Sequence, residues 1–179
     1  MDFLELASSR QSDRDFDPKL SVEDEKLRFI VEAARLAPSA CNVQPWKIVV
    51  VTDPELRAEV AKAASGQGMN KFAKTAPVHL ILVEDSANIT SNIGSRLKGK
   101  YFPLMDIGIL ASYITLAAQS VGLGSCILGW FDEGKMKRLL GIPKNKRVLL
   151  DIVIGYSLKP TRQKKRKPLE QVVSYNTYK

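Results

Sequence analysis

An α+β or α/β fold, a sheet wrapped by helices, is the class this sequence predicts, and three observations predict it. Short β-branched runs alternate with stretches of helical period from residue 21 to residue 156. The stretch over 104–121 is apolar almost all round, which marks a central, buried helix. The 179 residues fit one domain, and a chain of this length buries roughly 70% of its unfolded surface without disulfide or metal staples.

Each element has its own local reason. Residues 2–9 read as a short amphipathic helix. A second helix begins at Ser21, whose hydroxyl caps it while Asp24 reaches back from three residues later. Leu27, Ile30, Val31 and Ala34 then share one face, and the helix stops before Pro38 because the residue preceding a proline resists helical geometry. Ile48-Val49-Val50-Val51 is a buried strand followed by turn signals. Asp53 caps the next helix and Pro54 occupies its first turn.

Val78 to Val83 is a second strand, and the polar residues 85–100 read as a helix or a mobile excursion. The apolar helix follows, carrying Ile107, Leu110, Ala111, Ile114, Ala117 and Ala118, and Gly122-Leu123-Gly124 ends it. Ser125 to Leu128 continues as a strand. Asp132 caps a helix running to Leu140, which Gly141 and Pro143 terminate. Val148 to Tyr156 is the last long strand, and residues 169–173 form a short strand or a helical turn.

Composition limits the chemistry. A net charge of +8 points to an anionic partner, whether nucleic acid, membrane surface or a phosphorylated small molecule. Lys164-Lys165-Arg166-Lys167 supplies half of that excess, so the charge is local. Cys41, Cys126 and the single histidine, His79, are too few for the usual metal-ligand sets or a disulfide framework. His79 lies in an apolar strand and reads as a satisfied core imidazole, which leaves no Cys–His nucleophile. A reduced, cytoplasmic setting is the default. Residues 1–9 lack signal-peptide character, and no unbroken run of roughly 18 apolar residues suggests a membrane span.

Four segments can carry function. Arg10, Ser12 and Arg14 alternate, so an extended backbone points all three one way, a set suited to a phosphate monoester. The bland reading is a solvated loop paired with Asp13, Asp15 and Asp17. Pro38-Ser39-Ala40-Cys41-Asn42-Val43-Gln44-Pro45-Trp46 brings backbone close to a flat ligand and offers amides to its rim, with Trp46 opening the core strand. Gly122 to Gly129 is either a backbone-exposing loop or a helix stop entering a core strand; it is neither a Walker sequence nor a dinucleotide fingerprint. The basic tail at 164–167 is a solvated surface, a nucleic-acid contact or an anion clamp.

Arg10 to Phe16 followed by Pro38 to Trp46 resembles the two N-terminal signatures of the nitroreductase family of flavin mononucleotide (FMN) enzymes. The resemblance continues through Asp106-Ile107-Gly108, Gly122 to Cys126, Gly129 to Glu133, Leu140 to Pro143, Ile154-Gly155-Tyr156 and the basic tail. It implies one FMN-binding domain over residues 1–179. The family fold is α+β, a mixed, mainly antiparallel sheet wrapped by helices, in an intertwined homodimer with FMN at the subunit interface.

Carried over by position, Arg10, Ser12, Lys164 and Arg166 hold the FMN phosphate, and Arg14 lies near the pyrimidine side of the ring. Gln11 is counted with them, although relatives often have a basic residue there. Pro38, Ser39, Ala40, Asn42 and Gln44 come from the partner's loop. Ile127, Leu128 and Gly129 line the ring, with backbone N–H groups of the last two near flavin N5, and Asn70 contacts the ring edge.

The implied activity is ping-pong hydride transfer from NAD(P)H through the flavin to a nitroaromatic, quinone or similar small aromatic acceptor. The resemblance assigns no catalytic side chain and no metal, because the cofactor carries the chemistry. Other reactions on this fold, flavin fragmentation, dehalogenation or ring oxidation, stay open. So does a basic nucleic-acid-binding module, which predicts steep salt dependence but lacks interleaved aromatics.

Overall fold

The computed structural model describes residues 2–85 and 100–178. Helix α1 (Phe3–Ser9) begins with a complete capping box: Asp2 accepts the Glu5 N–H at 2.8 Å and Glu5 accepts the Asp2 N–H at 3.0 Å. Helix α2 (Asp24–Arg35) starts later than its sequence predicts. Its N-cap is Glu23, no side chain caps it, and the box expected from Ser21 does not form. The Glu23 carboxylate instead accepts the Tyr156 hydroxyl at 2.7 and 2.8 Å, which ties the start of the helix to the end of a strand far along the chain.

Strand β1 (Trp46–Val51) begins earlier than expected and is not the buried strand its apolar run predicts: it lies at the sheet edge, with Val51 buried and Val50 exposed. Helix α3 (Pro54–Ala64) and strand β2 (Val78–Glu84) follow as their signals predict, with Asp53 accepting the Leu56 N–H at 2.9 Å. Helix α4 (Phe102–Ser120) leads through Gly122 (φ 80°) into strand β3 (Gly124–Leu128). Asp132 caps helix α5 (Glu133–Leu140), which ends on left-handed Gly141 (φ 64°), before strand β4 (Arg147–Gly155). The Glu133 carboxylate fixes α5 to β4, accepting from Arg147 Nε at 2.9 Å and the Val148 N–H at 3.0 Å. Residues 169–171 form a single 3₁₀ turn. The expected excursion over 85–100 lies, apart from its two end residues, outside the described residues.

The strands pair in the order β1-β2-β4-β3, all antiparallel, which decides for α+β. Among the described residues the one parallel contact is an isolated bridge between Ser12 and Ser125. Helices cover both faces. Val78, Leu80, Leu82, Ile152 and Ile154 pack beneath α2 and α4, while Val51, Ile81, Val83 and Val148 pack beneath α3 and α5. Every residue of β2 is therefore buried, so it reads as a continuous apolar run rather than an alternating one.

Two expectations change here. Helix α4 is buried on one side only: Leu104, Met105, Ile109 and Tyr113 are exposed on the other. By length and mean composition it could cross a membrane, although polar residues interrupt it and half of it is buried inside the protein. His79 is only half satisfied. Its Nδ1 lies 2.9 Å from Asp151 Oδ2 with both side chains fully buried, while His79 Nε2 and Asp151 Oδ1 have no partner among the described residues.

Candidate functional site

Strand β3 is an edge strand; Ser12 and Asp13 meet it at Ser125, and residues 15–17 continue against residues 156–158, just past the end of β4. The Asp13 N–H donates to Ser125 O at 2.9 Å, and the Asp17 N–H donates to Tyr156 O at 2.9 Å. The extended backbone sorts side chains by parity over residues 10–14, and the alternation breaks before Phe16, which turns inward. Gln11, Asp13 and Phe16 are buried, whereas Arg10, Ser12 and Arg14 turn outward as their spacing predicts. Two glycines opposite each other on β3 and β4, Gly124 and Gly155, make the approach possible. A Cβ on Gly124 would sit 2.7 Å from Asp13 Oδ2, and one on Gly155 would sit 2.5 Å from Pro77 Cδ and 3.1 Å from Phe16.

The C-terminal segment folds back over residues 10–14. Ser157 Oγ donates to Asp13 Oδ1 at 2.7 Å, Gln11 Nε2 donates to Asp13 Oδ1 at 2.9 Å and to Pro160 O at 3.2 Å, and Lys164 Nζ donates to Arg10 O. Between the two segments lies an open cleft of about 470 Å³ lined by Arg10, Gln11, Ser12, Arg14, residues 162 and 163, and Lys164, Lys165 and Arg166. Six of those residues are cationic and none is acidic. Asp15 pairs with Lys159 at 3.2 Å, and neither Arg10 nor Arg14 joins an ion pair among the described residues, which argues against the solvated-loop reading. Burial, with the charges of Arg10, Arg166 and Arg162 behind it, holds the Lys164 ammonium below the usual lysine range. A bound anion would relieve this crowding, so the residues fit a phosphate.

Arg10, Ser12, Arg14, Lys164 and Arg166 are thus brought together. Arg162 was missed in the sequence, although residues 162, 164 and 166 show the same alternation as 10, 12 and 14. The Gln11 carboxamide faces inward and is engaged by the protein itself.

The other predicted residues lie elsewhere. Residues 40–42 form a 3₁₀ turn in which Cys41 and Asn42, and then Gln44, take left-handed φ near 50° without being glycine. Such backbone is held only by its surroundings. Here the Ala40 N–H donates to Asp106 Oδ1 at 3.1 Å, the Gln44 N–H donates to Ser39 Oγ at 2.9 Å, and Gln44 Nε2 donates to Asn42 Oδ1 at 3.1 Å. Asp106, buried on α4, is a second residue that sequence reasoning did not single out as a support. Pro38 to Gln44 do not line the basic cleft.

In β3, Ser125 turns its backbone groups toward Asp13, so alternation also turns Ile127 to the free edge, and Gly129 lies just past the strand. The same alternation turns the Leu128 N–H toward β4, which leaves Ile127 as the strand's donor at that end of the free edge. Both Asn70 amide hydrogens are engaged, donating to Trp130 O at 3.0 Å and Ala64 O at 3.3 Å, and so brace the loop after β3. Cys126 is buried behind Ser12, and burial raises its thiol above the usual range. No group of three or more metal-ligating side chains occurs among the described residues.

A sequence model of the Nitroreductase family matches residues 7–156. An NADH dehydrogenase of Thermus thermophilus is 31% identical over 199 residues, covering 97% of this chain and 95% of that protein. An NADPH-flavin oxidoreductase of Vibrio harveyi is 30% identical, covering 98% of this chain and 74% of that protein. The solved structure of an FMN-dependent nitroreductase from Clostridium difficile superposes with a TM-score of 0.81 at 26% identity, covering 98% of this chain and all of that one.

Proposed function

The chain belongs to the nitroreductase family, and from that premise we propose that it is an FMN-dependent NAD(P)H oxidoreductase, one domain over residues 1–179 working as a homodimer. The observation that carries the reading is the acid-free cationic cleft assembled from the two ends of the chain. A phosphate monoester at its mouth meets charge-assisted donors from Arg10, Ser12, Lys164 and Arg166. Arg14 lies on the same outward face and supplies positive charge toward the ring. The free edge of β3 offers the backbone N–H group of Ile127, Gly129 follows just past the strand, and Asn70 holds that edge in place.

FMN, when bound, would supply the redox chemistry, hydride transfer from NAD(P)H to an acceptor in ping-pong order. The protein's share is to anchor the phosphate, present donors along one edge and keep the loop around Asn42 rigid. Pro38, Ser39, Ala40, Asn42 and Gln44 serve the partner's flavin, because they lie outside this chain's own cleft while the family's paired sites use such a loop. The exposed apolar face of α4 (Leu104, Met105, Ile109 and Tyr113) supports burial against a second copy. The acceptor is a nitroaromatic, a quinone or a similar flat aromatic molecule, and the setting is cytoplasmic.

An absorbance spectrum of the purified protein, repeated on the supernatant after heat denaturation, tests the cofactor. Flavin bands that follow the protein and match free FMN on release are expected. A colourless protein that also takes up no added FMN would overturn the reading and favour the salt-sensitive nucleic-acid alternative.

A further inference from the structure

Gln11 is the most thoroughly engaged polar side chain at the cleft. It is 9% exposed. Its Nε2 donates to Asp13 Oδ1 and to Pro160 O, and its Oε1 accepts from both the backbone N–H and Nε of Arg162, at 3.0 and 3.2 Å. Two donors and two acceptor sites are all a carboxamide has, so the group is saturated. No lysine, arginine or glutamate meets that set of partners, because each lacks either the donors or the acceptor.

Its main effect falls on Arg162. Nη2 of that guanidinium donates to Ser12 O at 2.9 Å, so Nε and Nη2 are both pinned to residues 11 and 12. Nη1 is left with no partner among the described residues, and Arg162 joins no ion pair there. The residue lines both the basic cleft and an adjoining cavity of about 350 Å³. A planar fork pinned on one edge has little rotamer freedom left to lose when an anion meets the other edge.

We propose that Arg162 is a phosphate-binding cation of this cleft, that Gln11 is its positioning residue, and that together they select a flavin carrying a phosphate monoester. The inference rests on the FMN reading above. It assigns the tail a third anion-facing residue, two positions before Lys164 and four before Arg166. It also makes phosphate recognition depend on the tail being docked, since Arg162 reaches its place only while Gln11 and Ser12 hold it.

The test compares FMN with riboflavin, which has the same ring and no phosphate. Flavin-free wild type, Arg162→Met, Arg162→Lys, Gln11→Met and the Gln11→Met/Arg162→Met double variant are titrated by flavin fluorescence quenching. Arg162→Met should weaken FMN by about tenfold or more, the worth of a charge-assisted contact, and leave riboflavin within about twofold. Arg162→Lys, which keeps the charge but loses the fork, should fall between. Gln11→Met should copy Arg162→Met, and the double variant should be no weaker than the weaker single, because the two act as one unit.

Arg162→Met with wild-type FMN affinity, or an equal loss of both flavins, would overturn the assignment of Arg162. Independent, additive losses would overturn the positioning role of Gln11. A wild type that binds neither flavin would instead sink the FMN reading itself, which separates the two failures.

Discussion

Gly124→Ala is a small change placed where the structure has no room for it. The added methyl would lie 2.7 Å from Asp13 Oδ2, 2.9 Å from its Cγ and 3.1 Å from its Cβ. Asp13 cannot swing aside freely. Its N–H is bonded to Ser125 O, and its Oδ1 accepts from Gln11 Nε2 at 2.9 Å and Ser157 Oγ at 2.7 Å, all at 4% exposure. Overpacking at such a point costs about 1–3 kcal/mol. Losing a hydrogen bond to a buried carboxylate adds about 1.5–3 kcal/mol, so the total comes to roughly 4 kcal/mol. With a urea slope of about 2 kcal/mol/M, the midpoint should fall by about 2 M.

Urea unfolding of the flavin-free protein at one concentration measures this, because mass-action contributions then cancel. FMN affinity should fall with it, since Asp13 anchors both segments that frame the cleft. Trimming the obstruction should restore part of both: Gly124→Ala/Asp13→Ser should be more stable than Gly124→Ala alone. A single variant with wild-type midpoint and wild-type FMN affinity would refute the view that Gly124 exists to let residues 10–14 reach the sheet.

Three further outcomes follow from other parts of the molecule. Burial raises the Glu133 carboxyl, but Arg147, Lys137 and the Val148 N–H outweigh it and bring it down to about 2. A folded value below the unfolded one stabilises the protein above about pH 5 and is lost as pH falls toward about 2. With Arg147 62% exposed and therefore screened, Glu133→Gln should cost about 1–2 kcal/mol at pH 7. The difference from wild type should shrink steadily in urea titrations at lower pH, and a pH-independent difference would count against this origin. Arg14→Ala should weaken FMN or slow its reduction by NAD(P)H in stopped-flow measurements, and unchanged kinetics would remove Arg14 from the ring. His79→Leu should cost about 3 kcal/mol by leaving Asp151 buried without its partner, whereas His79→Leu/Asp151→Leu should recover most of that in the same unfolding assay.

What the sequence by itself determined is what acts over a few residues. Caps at Asp53 and Asp132, the stop at Gly141 and the outward parity of Arg10, Ser12 and Arg14 all follow from groups within one turn or one strand. The tertiary structure decided whatever depends on a distant partner. Ser21 lost the start of α2 because Glu23 is held by Tyr156, 133 residues away. Gln11 is counted among the phosphate-holding residues on sequence alone, and only the fold shows its oxygen occupied by Arg162, 151 residues on. The apolar run of α4 does not reveal which side the chain buries itself and which it leaves exposed. Side-chain capping and backbone parity are set by local dihedral angles, so they are written locally. Which polar group faces which, and which apolar face is covered, is set by how the sheet brings chain ends together, and no short window of sequence contains that.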